Sequence, residues 1–152
     1  MKKIFLFLAL TMLSFSINSC SNDSNGKSNK ATGTLSFKVD GDLKTLNIIY
    51  VDQIKQLVGT PYEYTQITVS AYSTTTDNAV TFSFKKGDLG NTFSDFAYIL
   101  GGDMGYLKTS DFSSTITASG NENKLIGTFA GHVGSDTFYD FNITAGSFNI
   151  QY

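Results

Sequence analysis

From residue 34 onward, apolar and polar side chains alternate in short runs. Leu35, Phe37 and Val39 are separated by Ser36 and Lys38, the period of two that turns one face of a strand toward a core. Ile67, Val69 and Ala71 repeat it against Gln66, Thr68 and Ser70, and Val80, Phe82 and Phe84 repeat it again. Leu125, Gly127, Phe129, Gly131 and Val133 fall on one face of a later strand. Phe141 with Ile143, then Phe148, Ile150 and Tyr152, finish the chain. Leu46 to Val51 is apolar except for Asn47 and predicts a more central strand.

The segments between these runs carry turn chemistry. Asp40-Gly41 predicts a two-residue hairpin, because both central positions tolerate positive φ. Thr74 to Asn78 and Gly120 to Asn123 are polar turns, and Gly101-Gly102-Asp103-Met104-Gly105 predicts a long glycine loop between two strands. Ala145-Gly146 predicts a bulge or bend inside the last strand. Ile54 to Val58 fits either a short helix or a loop, and the lone proline, Pro61, falls in a loop. About nine short, closely spaced strands make the body all-β: an antiparallel β-sandwich or barrel over residues 31–152, one domain large enough for a real core. Its 13 Phe and 8 Tyr suit pleated, half-buried surfaces.

The first residues read differently. Lys2 and Lys3 precede an apolar run from Ile4 to Leu13, and the stretch ends at Ser19-Cys20. A basic start, an apolar middle shorter than the ~20 residues of a membrane span, and a small residue before the cut describe a signal peptide over residues 1–19. Ile17-Asn18-Ser19-Cys20 resembles the bacterial lipobox. Ser19 fits the small position and Ile17 the aliphatic one, while Asn18 departs from the usual choice. The resemblance implies lipid attachment at Cys20, the only cysteine, and several acyl chains on one residue hold a protein to a membrane without a helix. Residues 20–30 form the lipidated cysteine and a flexible tether of Ser, Asn, Gly and Lys with no apolar residue after the cysteine. Asp23, Asn25 and Gly26 alternate as in a calcium loop, but position one is Ser21 and no glutamate closes the loop. Ser21 directly after the cysteine favours an outer membrane, so the expected location is the cell envelope: an outer-membrane lipoprotein facing the periplasm or the surface. Asp23 is a single residue of the acidic tract that surface-exported lipoproteins carry there.

Composition narrows the partners. Removing residues 1–19 takes two lysines, leaving 11 − 2 = 9 basic against 13 acidic residues, about −4, and no arginine occurs anywhere. Nucleic-acid binding needs a basic face and often bidentate arginine, so nucleic acid is excluded as a partner. A single cysteine permits no internal disulfide.

Both ends of the domain resemble one family. Leu125-Ile126-Gly127-Thr128-Phe129, followed by Asn142 through Tyr152, is similar to the C-terminus of small uncharacterised Bacteroidetes lipoproteins, where a GTF strand precedes a terminal ITxGxFxxxY-like strand. Phe37-Lys38-Val39-Asp40-Gly41 resembles the family's opening hairpin, although the tryptophan that often follows is missing. Residues 45–115 carry no match. The resemblance implies an all-β lipoprotein domain and brings no catalytic residues.

Catalytic chemistry has few footholds. His132 is the only histidine, and its Ala130-Gly131 and Val133-Gly134 flanks place it at an exposed or edge position of a strand. No G-x-S-x-G elbow exists, and one histidine cannot assemble a zinc site. A carboxylate pair for glycoside hydrolysis would come from Asp88, Asp95, Asp103, Asp111, Asp136 and Asp140, all but the last in turn-like contexts. The Gly101–Gly105 loop lacks the lysine and helix of a phosphate cradle. Tyr62, Tyr64, Tyr72, Tyr98, Tyr106 and Tyr139 offer an aromatic platform for sugars or peptides. The expectation is a non-catalytic, membrane-anchored binding or assembly module for a glycan or an envelope protein, with no cofactor and no metal. Two alternatives stay open: a lipocalin-like carrier of an apolar molecule, and a carboxylate-dependent hydrolase.

Overall fold

A computed structural model describes residues 28–90, 93–102, 104–119, 123–134 and 140–152, with the side chains of Met104 and Asp140 excepted. Cys20, the segment read as a signal peptide and most of the tether lie outside the described residues. Ten strands occur among those described: β1 Asn29–Val39, β2 Asp42–Leu46, β3 Ile48–Gln56, β4 Tyr64–Tyr72, β5 Asn78–Lys85, β6 Asp95–Leu100, β7 Met104–Lys108, β8 Ser113–Ser119, β9 Lys124–Gly134 and β10 Asp140–Gln151. The fold is all-β and every pairing is antiparallel.

Two pairs of these strands are halves of longer staves. β2 pairs with Leu35–Val39 and β3 with Asn29–Ala31, both along the same edge of β1. The break falls at Asn47, whose N–H bonds the Tyr72 carbonyl at 3.1 Å. β7 and β8 share the edge of β9 in the same way, β7 at Val133 and Gly134 and β8 at Leu125–Ala130. With those halves joined, each stave neighbours the next in sequence, and β10 pairs with both β9 and β1. The sheet therefore closes in a ring, with ten strands making 10 − 2 = 8 staves of an up-and-down barrel. Closure removes the unpaired edges that an open sheet would expose.

Several expectations are met and several corrected. Val39 pairs with Asp42 across Asp40 (φ 50°) and Gly41 (φ 93°), the tight hairpin predicted. The register of β10 shifts between Ile143 and Gly146, the bend predicted at Ala145-Gly146. The run from Leu46 to Val51 is not one central strand. It breaks at Asn47, after which Ile49 and Val51 face the core while Ile48 and Tyr50 are only half-buried. No helix forms over Ile54–Val58, because the ladder to β4 continues to Gln56 and Tyr64 and the remaining residues turn the hairpin. The Gly101–Gly105 loop is shorter than expected, since Met104 and Gly105 belong to β7. β1 starts at Asn29, so Asn29 and Lys30, expected in the tether, pair with Val51 and Tyr50.

Aromatic rings fill the interior. Phe82 has the rings of Phe93, Phe148, Phe84, Phe96 and Phe129 around it at centroid distances of 4.3 to 6.5 Å. Phe93 and Phe112 come from outside the strands, in the β5–β6 and β7–β8 connections, and both are buried. The Phe93 N–H bonds Ser114 Oγ at 2.7 Å and its carbonyl accepts from Lys108 Nζ, so the loop is pinned across the barrel. Tyr98, fully buried, donates to Asn78 Oδ1 at 2.5 Å, which satisfies its hydroxyl inside an apolar core.

Candidate functional site

Alternation along β3–β7 puts Ile67, Val69, Val80, Phe82, Phe96 and Tyr98 inside and leaves an outer face of mixed chemistry. The registers order that face into rows. Tyr50, Ser70, Thr81, Ala97 and Leu107 stand side by side across five strands. Asp52, Thr68, Ser83 and Asp95 form the next row, and Ile48, Tyr72, Ala79 and Ile99 the row on the other side. Small hydroxyl residues thus floor a trough, with aromatic and carboxylate groups at its rims.

Three concavities lie along this face. Ser28, Tyr50, Asp52, Ser70 and Tyr72 line the first, about 270 Å³. The second, about 390 Å³, runs over Thr68, Thr81, Ser83, Asp95, Ala97, Leu107 and Lys108. The third, about 340 Å³, is lined by Tyr64, Gln66, Lys85, Asp88, Ser94 and Asp95. Asp95 borders the last two.

The first concavity holds the feature that packing alone does not explain. Tyr50 and Tyr72 meet edge to face at 6.3 Å and 73°. Beside them Asp52 Oδ1 is shielded from solvent and has no hydrogen-bond partner. A shielded acceptor without a donor is costly, and such groups are rare in folded proteins. Several other polar groups near this face are engaged. Ser83 Oγ donates to Asp95 Oδ2 at 2.8 Å, Ser94 Oγ donates to the Ser83 carbonyl at 2.8 Å, and Lys85 Nζ stands 5.6 Å from the Tyr64 ring centroid.

A second cluster sits at the β7–β8 kink. His132 Nδ1 and Asp111 Oδ2 are 2.5 Å apart, and the Thr109 hydroxyl is in hydrogen-bond contact with the Asp111 carboxylate and lies 2.8 Å from the His132 carbonyl. The Thr109 hydroxyl and then His132 lower the Asp111 carboxyl to about 2. A carboxylate on Nδ1 is the orienting half of a hydrolytic triad. Here, however, the Thr109 N–H also bonds the His132 carbonyl at 3.0 Å and the Phe112 N–H bonds the Thr109 carbonyl, so the same residues close the kink of the stave. That arrangement is a staple at the surface, with side chains 44% and 54% exposed.

The other expected site residues scatter. Tyr98 and Tyr106 are buried inside the barrel and cannot join a platform. Tyr62 is at the β3–β4 tip, Tyr64 borders the third concavity, and Tyr72 borders the first. Of the aspartates, Asp88 and Asp95 line one groove, while Asp111 pairs with His132 away from them. Asp103, Asp136, Tyr139 and the Asp140 side chain lie outside the described residues. Among the described residues no three His, Cys, Asp or Glu side chains converge as a metal would require. Tyr50 and Asp52 are the residues that sequence reasoning missed. Both stand on the outward phase of the Ile49/Val51 alternation, which was the signal available. No protein-family model, curated protein or solved structure matches this chain.

Proposed function

We propose that this chain is a non-catalytic binding module, held at the envelope membrane through Cys20, that takes a glycan on the outer face of β3–β7. The observation that carries the reading is the shielded, unpartnered Asp52 Oδ1 beside the Tyr50–Tyr72 pair. A sugar offers what this place lacks: hydroxyl donors for the carboxylate and an apolar C–H face for a tyrosine ring. Ser70 and Thr81 in one row and Thr68 and Ser83 in the next supply hydroxyls on β4 and β5, at the centre of a face that spans five strands, ~19 Å. The interior favours a surface site over a carrier, because stacked phenylalanines occupy the centre where an apolar ligand would sit.

The test is a titration of the protein with hexasaccharides of β-glucan, xylan, mannan and chitin, followed by NMR. The expected result is saturable shifts at β3–β5 for one of them, weakened at least about tenfold by Tyr72→Ala or Asp52→Leu. No shift at this face with any of the four would overturn the reading. A carboxylate-dependent hydrolase is the second reading, favoured by Asp88 and Asp95 on one groove. New reducing ends that disappear in Asp95→Asn would establish it.

A further inference from the structure

Of the eight exposed large apolar residues among those described, Leu43, Tyr72, Leu100 and Leu107 stand singly elsewhere on the barrel and four share one end. Leu57, Val58 and Tyr62 are 57%, 67% and 77% exposed, and all three stand on the β3–β4 hairpin tip. Leu89, 57% exposed, is on the β5–β6 connection at the same end of the barrel. The tip is tightly built. The Thr60 N–H bonds the Leu57 carbonyl at 3.1 Å, its hydroxyl bonds the same carbonyl at 2.7 Å, and Gly59 N–H bonds Glu63 Oε2 at 3.1 Å. Leu57 is held at φ 53°, a conformation that a branched residue seldom adopts. The fold thus holds a strained leucine and two further large apolar side chains out in water, where they add nothing to the core.

Two other observations say what faces this end. The first is the course of the chain. Asn29 pairs antiparallel with Val51, so the first residue of β1 lies toward the end of the barrel to which β3 carries Leu57. Six chain steps separate Val51 from Leu57, placing the tip ~20 Å along that direction. Nine chain steps separate Cys20 from Asn29, a reach of at most ~30 Å. An anchor at Cys20 therefore puts the bilayer within reach of the tip. The second observation is charge. Lys55, Lys85 and Lys86 stand around the tip end with Glu63, Asp88 and Asp95, Lys55 being paired with Glu63 at 3.2 Å, whereas the opposite end carries Asp40, Asp42 and Asp77 with Lys38 and Lys44. In a chain of acidic net charge, the tip end is thus balanced and the opposite end acidic.

We infer that the β3–β4 tip, with Leu89 at the same end, is a second membrane contact: Leu57, Val58 and Tyr62 enter the interface of a phospholipid bilayer while Lys85 and Lys86 meet its headgroups. Aliphatic and tyrosine side chains bordered by lysine are the composition of interfacial segments. The contact fixes the orientation of a barrel that an anchor at Cys20 alone would leave free to turn. It also stands the β3–β7 face upright on the membrane, open to a ligand from the side. The inference rests on the anchor reading for its geometry.

The chain has no tryptophan, so single reporters are clean. Val58→Trp and, at the opposite end, Leu43→Trp are made in the full chain and reconstituted into vesicles of phosphatidylethanolamine and phosphatidylglycerol with brominated acyl chains. Both sites are exposed, and unchanged near-UV circular dichroism verifies folding. Blue-shifted emission from Val58→Trp, quenched by the bromolipid where Leu43→Trp is not, is the expected result. Acylation of Cys20 is read separately by intact mass. An acylated chain whose Val58→Trp stays open to aqueous iodide overturns the contact and leaves the anchor standing. If the mass shows no acyl chain, the anchor reading fails; with excess vesicles, quenching of Val58→Trp then upholds the contact on its own and lack of quenching overturns it too.

Discussion

Tyr50 and Tyr72, from adjacent strands, stand edge to face with ring centroids 6.3 Å apart in the concavity that also holds Asp52, one of whose carboxylate oxygens finds no donor. The relationship depends on the β3–β4 register, in which Ile48 faces Tyr72 and Tyr50 faces Ser70. Tyrosines on neighbouring rows of one face meet along a diagonal, the spacing at which aromatic side chains still touch.

Asp52 should trade stability against binding. Aspartate is a poor strand residue, and its shielded oxygen lacks a partner. Asp52→Thr is expected to raise unfolding stability by about 1 kcal/mol in urea titrations while weakening glycan binding. Lower stability in this variant would show that the carboxylate has a structural partner.

The Asp111 carboxyl should titrate near 2, held down by Thr109 and His132. A depressed folded value means that the carboxylate's contribution to stability is fully present above the unfolded value near 3.8 and fades as pH falls through 2. Side-chain carbon NMR is expected to show the low midpoint, and Thr109→Val to move it upward. Native-state midpoints that coincide in the two proteins would remove Thr109 as the cause.

Gly131 lies at the kink with φ 133°, and a Cβ there would fall on the backbone of Phe112. Neither strain nor contact can be relieved by a rotamer change. Gly131→Ala is expected to cost about 3 kcal/mol by chemical denaturation. A cost below ~1 kcal/mol would mean that the β7–β8 kink moves freely.

Phe93 enters the core from a loop and stacks on Phe82 at 4.3 Å. Phe93→Ala is expected to lose ~3–5 kcal/mol, as for a central core ring. Hydrogen exchange should then be fastest in the β5–β6 connection, because Phe93 also anchors it through Ser114 and Lys108.

Much of the barrel is legible locally. The inward positions of β1, β4, β5 and β9 follow from alternation at Leu35/Phe37/Val39, Ile67/Val69/Ala71, Val80/Phe82/Phe84 and Leu125/Phe129/Val133. The break at Asn47 was hidden because apolar residues continue on both sides of it. Phe93 and Phe112 were hidden because a residue outside a strand has no period to place it. Abundance alone does not say which way a tyrosine faces, so Tyr98 and Tyr106, which point inward, are not distinguished by it from Tyr72.

By itself the sequence determined an all-β domain, its tight Asp40-Gly41 hairpin and the bend in its last strand. Each of these is a property of a few consecutive residues, set by backbone sterics and by which side of a pleat a side chain occupies. Only the tertiary structure decided that the strands close on themselves, that Tyr50, Asp52 and Tyr72 share one concavity, and that Leu89 lies at the same end of the barrel as Leu57, Val58 and Tyr62. Those outcomes rest on registers between strands far apart in sequence, and the shift of one residue in pairing would turn each of these side chains to the other face.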